Sequence, residues 1–386
     1  MDQRTIQILF ALVRSAISGV KLTDEEKGAY SPELLPDMLK TASAHDIVHL
    51  LATALRDNDL ISKDNANVEK AILKAVFRYE KLKYEFDNLC WIFEEKEIPF
   101  IPLKGSVIRD LYPEPWMRTS CDIDILVHRK DLEKAVSHLI KDFQYTESEH
   151  GTHDISLFAP SGVHVEIHYD LVEEEYANDV TDILNSVWDV SYLIDNKKYW
   201  YVMPDDLFYF YHIAHMAKHF ENGGCGIRPF IDLWILDNIK DSCKAKRDEL
   251  LSRGELLKFT NTLRTLNGVW FDGKECDLLS SQMQDFLFNG GLYGSADNRV
   301  ALRQQKAGGK FGYVISRIFI PSSKLKKYYP VLEKHPWLLP FMQVRRWFML
   351  LKPDVAKLAK RELKANTKTD KAKTEEVNDF FNNIGL

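Results

Sequence analysis

The sequence predicts an α+β protein: a small mixed β-sheet core flanked by N-terminal and C-terminal helical regions. Three observations lead there. Apolar residues recur every three or four positions from residue 5 to about 96, as in Ile6-Leu9-Phe10-Leu12-Val13 and Val68-Ile72-Val76. Between about 97 and 175 that spacing gives way to short alternating or β-branched runs broken by proline and glycine. From Asp205 helical spacing returns.

The last N-terminal helix is expected to run to Glu95. Ile98-Pro99-Phe100-Ile101-Pro102-Leu103 then suits a strand entering a loop, because proline removes a backbone donor that a helix interior needs. A short helical piece, Val107 to Leu111, stops before Pro113 and Pro115. Cys121 to Val127 alternates and is β-branched, hence a strand. Residues 130–142 place Leu132, Val136, Leu139 and Ile140 on one helix face. Asp154–Ala159 and Val163–Tyr169 read as strands joined at Pro160-Ser161-Gly162. Helices are expected over Leu207–Phe220 and Pro229–Ile239. The resulting division is 1–96 helical, 97–200 the α/β core, 201–350 helical, and 351–386 a basic helix and tail, with a frayed stretch from Lys352 to Lys373.

Composition narrows the function. The chain has 386 residues, 45% of them hydrophobic, with 51 basic and 57 acidic side chains giving a net charge of −6. No global basic field of the kind used for non-specific nucleic-acid binding is present, and no DNA partner is expected. The five cysteines are odd in number and never arranged as CxxC, which suggests neither a disulfide framework nor structural zinc. A cytoplasmic protein with no membrane partner is expected.

The chemistry gathers in a few residues. In an extended strand Asp122 and Asp124 share a face, opposite Ile123 and Ile125. Such a pair repels itself unless a cation neutralises it, and hard oxygen ligands suit Mg²⁺ or Mn²⁺. Glu166, within Val163-His164-Val165-Glu166-Ile167-His168, supplies a third carboxylate from a second strand. Gly105 lets a backbone approach phosphate, while Ser106 and Lys104 add a hydroxyl and a positive charge. Three carboxylates with such a turn suit metal-assisted phosphoryl-type transfer.

Blander readings compete. Lys104 can cap a surface turn, and Arg118 can pair with Glu114 or Asp122. Arg228 and Asp232, at i and i+4, can form an ion pair on one helix. His164, Glu166 and His168 share a strand face and offer a zinc hydrolase site as the rival chemistry. His212 reads as a core residue. Tyr328-Tyr329, Trp337 and Arg345-Arg346-Trp347 suggest either a bundle rim or an RNA-stacking surface.

Lys104-Gly105-Ser106, then Arg118 followed by Asp122-Ile123-Asp124-Ile125-Leu126-Val127, then Glu166, resembles the DNA polymerase beta-like nucleotidyltransferase superfamily. Within it the chain is most similar to the bacterial, largely uncharacterised nucleotidyltransferase family proteins, with further likeness at His215-Met216-Ala217-Lys218-His219 and at Arg228 with Asp232. The resemblance implies that Asp122, Asp124 and Glu166 are catalytic and ligate metal. It also implies that Lys104, Gly105, Ser106, Arg118, Lys218, His219 and Arg228 contact the nucleotide. The implied reaction moves an NMP from an NTP, ATP among the candidates, to an acceptor hydroxyl on a small molecule, protein or RNA, releasing pyrophosphate. The alternatives are a catalytically silent nucleotide-binding or regulatory module, and a toxin or defence enzyme acting on tRNA or protein. Ser106 and Asp122 are 122 − 106 = 16 steps apart, longer than in compact superfamily members. Removing Asp124 is expected to abolish transfer and spare the fold.

Overall fold

The computed structural model describes residues 1–62, 64–151, 153–171, 179–239, 243–291 and 296–322, and beyond these 325–326, 329, 331–349, 356–357, 360, 363–364, 366–367 and 371–386. It forms two compact units, residues 1–215 with 227–280, and residues 216–226 with 281–386.

The first unit opens with helices α1 (Gln3–Ser18), α2 (Asp24–Ala29), α3 (Leu35–Ala44), α4 (Val48–Asp57) and α5 (Ala66–Glu95). Their ends follow from local chemistry. Asp2 accepts the amide of Thr5 at 2.8 Å and caps α1, which Gly19 ends at φ 69°. Thr23 and Glu26 form a capping box on α2, and Asn65 caps α5. At 30 residues α5 is about 45 Å long, enough to run along the whole sheet.

The sheet has the order β1 (Phe100–Pro102), β2 (Asp122–Val127), β5 (His164–His168), β4 (Asp154–Phe158), β3 (Thr146–His150). Only β2 and β5 run parallel; the other neighbours are antiparallel. Two helices interrupt the strands, α6 (Gly105–Ile108) after β1 and α7 (Leu132–Phe143) after β2. One sheet face carries Ile123, Ile125, Val127, Val165 and Ile167, all wholly buried. They share a core with Leu89 and Phe93 of α5 and Ala135 and Leu139 of α7. Each such aliphatic side chain contributes about 1.5–3 kcal/mol by burial, which fixes which face β2 and β5 turn outward. The β4–β5 connection is the expected turn, with Gly162 at φ 76° and its amide on the Ala159 carbonyl at 2.7 Å.

Two elements were not expected. β3, Thr-Glu-Ser-Glu-His, is exposed at every position. A hairpin of β6 (Tyr192–Leu193) and β7 (Tyr201–Val202) touches the β1 edge through Trp200 and Phe100. The unit continues with α8 (Asp179–Asn185), α9 (Val187–Val190), the first part of α10 (Asp205–Glu221), α11 (Arg228–Asp237), α12 (Lys244–Arg253) and α13 (Leu257–Phe271).

The second unit is helical where described. It takes the end of α10, most of α14 (Leu278–Gly290), then α15 (Ala296–Lys306), α16 (Lys310–Ile318), α17 (Val331–Lys334), α18 (Leu339–Met349) and α19 (Lys371–Ile384). Phe286 packs on Phe380 and Phe381, with ring centres 5.2 and 5.8 Å away. Most of the basic stretch Lys352–Lys373 lies outside the described residues, as does Tyr328, while α19 beyond it buries Val377, Phe381 and Ile384. The Arg345 guanidinium stands 5.4 Å from the Tyr329 ring, and Trp347 donates to the Ile318 carbonyl at 2.9 Å.

Candidate active site

A tight turn delivers the first residues of the site. The Ser106 amide donates to the Leu103 carbonyl at 3.1 Å, closing a four-residue turn, and the Leu103 amide donates to the Asp124 carbonyl at 3.0 Å. The turn is thereby tied to β2. Lys104 sits at its first corner with φ 44° and ψ −120°, a conformation that normally calls for glycine and costs a side-chain-bearing residue about 1–3 kcal/mol. Gly105 follows, and a Cβ there would lie 2.9 Å from Arg118 Nη1 and 3.4 Å from Ser120 Oγ. Arg109 locks the turn from behind, donating to the Gly105 carbonyl at 2.6 Å and to Ser120 Oγ at 3.0 Å. Ser106 Oγ is buried and has no hydrogen-bond partner among the described residues.

The polar face of β2 and β5 holds the carboxylates. The parallel register sets Asp122 beside His164, Asp124 beside Glu166 and Leu126 beside His168. Asp122, Asp124 and Glu166 therefore converge on one face. Lys104 turns its ammonium inward, 2.7 Å from Asp124 Oδ1, rather than capping a surface turn. His168 Nε2 reaches the same oxygen at 2.9 Å and Glu166 Oε2 at 3.4 Å. His164 Nδ1 stands 3.9 Å from Glu166 Oε1.

The electrostatics follow from this arrangement. Burial would raise the Asp124 carboxyl, but Lys104 and His168 outweigh it and hold it well below the usual range. Asp122 is pushed up by burial and by the charges of Asp124 and Glu166, which outweigh the pull of Lys104 and Arg118. His168 is raised despite burial, because Asp124 and Glu166 accept from it. Lys104 and His168 are drawn to Asp124, and Asp122 is left short of positive charge. A small hard cation answers that shortage. One ligand atom each from Asp122, His164 and Glu166 lie within 4.8 Å of one another, as do those from Asp124, Glu166 and His168. Glu166 belongs to both sets, so these residues fit a divalent metal by donor type and proximity.

The arginines are placed otherwise than their spacing suggested. Arg118 makes a two-pronged pair with Asp232, at 2.8 and 3.2 Å, and Tyr112 donates to the same carboxylate at 2.7 Å. Asp232 is wholly buried and its carboxyl is held low, burial being outweighed by Arg118. Neither Glu114 nor Asp122 takes Arg118, and Arg228 does not take Asp232. Arg228 instead donates to the Thr119 carbonyl and approaches Asp46 to 3.6 Å. Both guanidiniums thus fasten the segment between the turn and β2. Lys218 and His219 fall in the second unit, whereas the other candidate site residues fall in the first. His212 is half-buried, its Nε2 in a hydrogen bond with the Pro229 carbonyl at 3.0 Å. Two relations escaped sequence reasoning. Asp232 was singled out, but its partner Arg118 is 114 residues away. The buried Tyr211 of α10 feels the charges of Lys104, Asp124 and Glu166. The period-two spacing of His168 with Glu166 was the available signal for the histidine.

A glycine-tight turn is thus tied to a strand whose two aspartates face a glutamate on the parallel neighbour, an arrangement that could hold a divalent metal. The chain belongs to the family described as uncharacterised nucleotidyltransferase, whose model matches residues 32–267. That span contains the turn, all three carboxylates and Asp232, and the protein is accordingly a nucleotidyltransferase. No protein of curated function and no solved structure matches the chain. No described helix is long and apolar enough to cross a membrane.

Proposed function

We propose that the protein moves an NMP from an NTP to an acceptor hydroxyl with release of pyrophosphate, using Mg²⁺ or Mn²⁺, in the cytoplasm. The observation that carries this reading is the in-register placement of Asp122, Asp124 and Glu166 on parallel neighbours, with the positive charge beside Asp122 insufficient. Asp122, Asp124 and Glu166 would hold the metal, which when bound would neutralise triphosphate charge and lower the pKa of the attacking hydroxyl. The acceptor oxygen forms a bond to the α-phosphorus, the bond from that phosphorus to the bridging oxygen breaks, pyrophosphate leaves, and the hydroxyl proton passes to solvent. Gly105 and Ser106 bring the backbone close to the triphosphate. Lys104, held beside Asp124, supplies a fixed positive charge next to the reacting phosphate. Arg118 and Arg228 act by shaping the wall around it, while Lys218 and His219 are assigned to nucleotide contacts by family resemblance alone.

The test is incubation of the purified chain with each NTP labelled at the α-phosphate, Mg²⁺ and a cell extract, reading label transfer and pyrophosphate release. Asp122→Asn is expected to lower turnover at least a hundredfold. Undiminished metal-dependent turnover in that variant refutes the reading.

A further inference from the structure

Next to the acidic face the first unit holds a separate cavity of about 330 Å³. Its wall carries five aromatic side chains, Tyr79 and Phe86 from α5, Trp200 and Tyr201 from the hairpin, and Phe208 from α10, with Ser106 set among them. The size is that of a small-molecule site, where ligands fill roughly 300–1,000 Å³.

Two elements join this cavity to the carboxylates. The turn points the Lys104 side chain at Asp124 and lines the cavity with Ser106. Helix α10 lines the cavity with Phe208, and Tyr211, three residues on, faces the charges of Lys104, Asp124 and Glu166. Three helical residues rise about 4.5 Å, so α10 presents Phe208 to the cavity and Tyr211 to the carboxylates less than one turn apart.

The polar groups of the wall define what fits. Ser106 Oγ is buried without a hydrogen-bond partner among the described residues, which costs about 1–3 kcal/mol unless a ligand completes it. Lys83 pairs with Asp87 at 2.5 Å, and Arg109 is committed to the turn, so each cation among the described lining residues already has an acceptor. Aromatic surfaces beside the Ser106 and tyrosine hydroxyls, with the Asp110 carboxylate at the wall disfavouring an anion, suit an uncharged planar ring.

We propose that this cavity is a ring-binding subsite of the active site, taking a planar heteroaromatic or aromatic group of nucleobase size, stacked on its aromatic wall and hydrogen-bonded to Ser106. The proposal rests on the nucleotidyl-transfer reading. The ring belongs either to the acceptor or to the base of the NTP, and one experiment separates the two.

Calorimetric titration of the full chain with adenosine, with indole, and with each NTP in Mg²⁺ is compared with the same titrations of Val202→Trp, which fills the cavity from the half-buried β7 wall, and of Tyr79→Leu, which removes a stacking face. Circular dichroism reports folding, so either variant suffices if the other misfolds. Adenosine or indole is expected to bind the natural chain and to bind the variants at least tenfold more weakly, with Mn²⁺ binding, read by electron paramagnetic resonance, unchanged. If NTP affinity falls in parallel the ring is the base; if it is retained the ring is the acceptor's. Absence of adenosine and indole binding to the natural chain, or equal binding by the variants, overturns the proposal. Failure of the transfer reading is read separately, as absence of Mn²⁺ binding and of pyrophosphate release while the rings still bind.

Discussion

The aspartates of β2 are chemically alike and should behave in opposite ways when removed. Asp124 is 5% exposed and accepts from both Lys104, at 2.7 Å, and His168, at 2.9 Å. At that separation the Lys104 attraction is roughly 6 kcal/mol for an effective dielectric constant of 20. Desolvation offsets much of it, and breaking a buried pair from one side costs about 3–5 kcal/mol because a charge is left behind. The Lys104 side chain keeps 23% exposure and can relax outward, which places Asp124→Ala near the lower end of that range, about 3 kcal/mol. Asp122 is different: burial, Asp124 and Glu166 all disfavour its charge, so Asp122→Asn should change stability by less than about 1 kcal/mol, in the stabilising direction. Both variants should lose transfer. The structure thus alters the expectation that Asp124 can be removed without cost to the fold. Urea unfolding of the two variants, with Asp124→Ala/Lys104→Met as the third, measures this. The double variant should recover part of the loss, since no ammonium is then stranded. Equal stability of Asp124→Ala and Asp122→Asn, or no recovery in the double variant, would refute the reasoning.

Gly105→Ala should lower turnover and cost about 1–3 kcal/mol, because its methyl would meet Arg118 Nη1 at 2.9 Å and that guanidinium is held by Asp232 and the Thr119 carbonyl; urea titration and the transfer assay report it. His45 is wholly buried, and burial pulls its imidazole down to about 4 from an ordinary 6.5. The unfolded chain therefore binds a proton that the folded chain refuses, so stability is full above pH 6.5 and falls as pH drops towards 4, by about 3 kcal/mol from this group. The difference between natural and His45→Gln stability profiles isolates that contribution, and parallel profiles between pH 7 and 4 would contradict it.

What the sequence disclosed follows the range of its signals. β2 and β5 were legible because period-two burial alternates Ile123 and Ile125 with two aspartates, and Val165 and Ile167 with Glu166. The turn was legible from its glycine. β3 was not, since Thr146 to His150 bury nothing and no alternation marks them; only pairing with β4 makes a strand of them. The partners of the charges were hidden for another reason. Arg228 and Asp232 are helical neighbours, yet Asp232 goes to Arg118 and Tyr112, because the segment between the turn and β2 closes over α11. The inward turn of Lys104 was likewise invisible, being set by a backbone angle rather than by residue type.

That angle has a consequence for how position 104 can vary. Glycine would relax the corner, and drift towards glycine is the easy direction for any left-handed residue whose side chain is idle. At position 104 the side chain reaches Asp124 only because the corner is bent against its preference. Strain and charge are therefore inherited together: a lineage that relaxed the backbone would surrender the ammonium, and a lineage that keeps the lysine must keep a neighbouring fold firm enough to hold it bent.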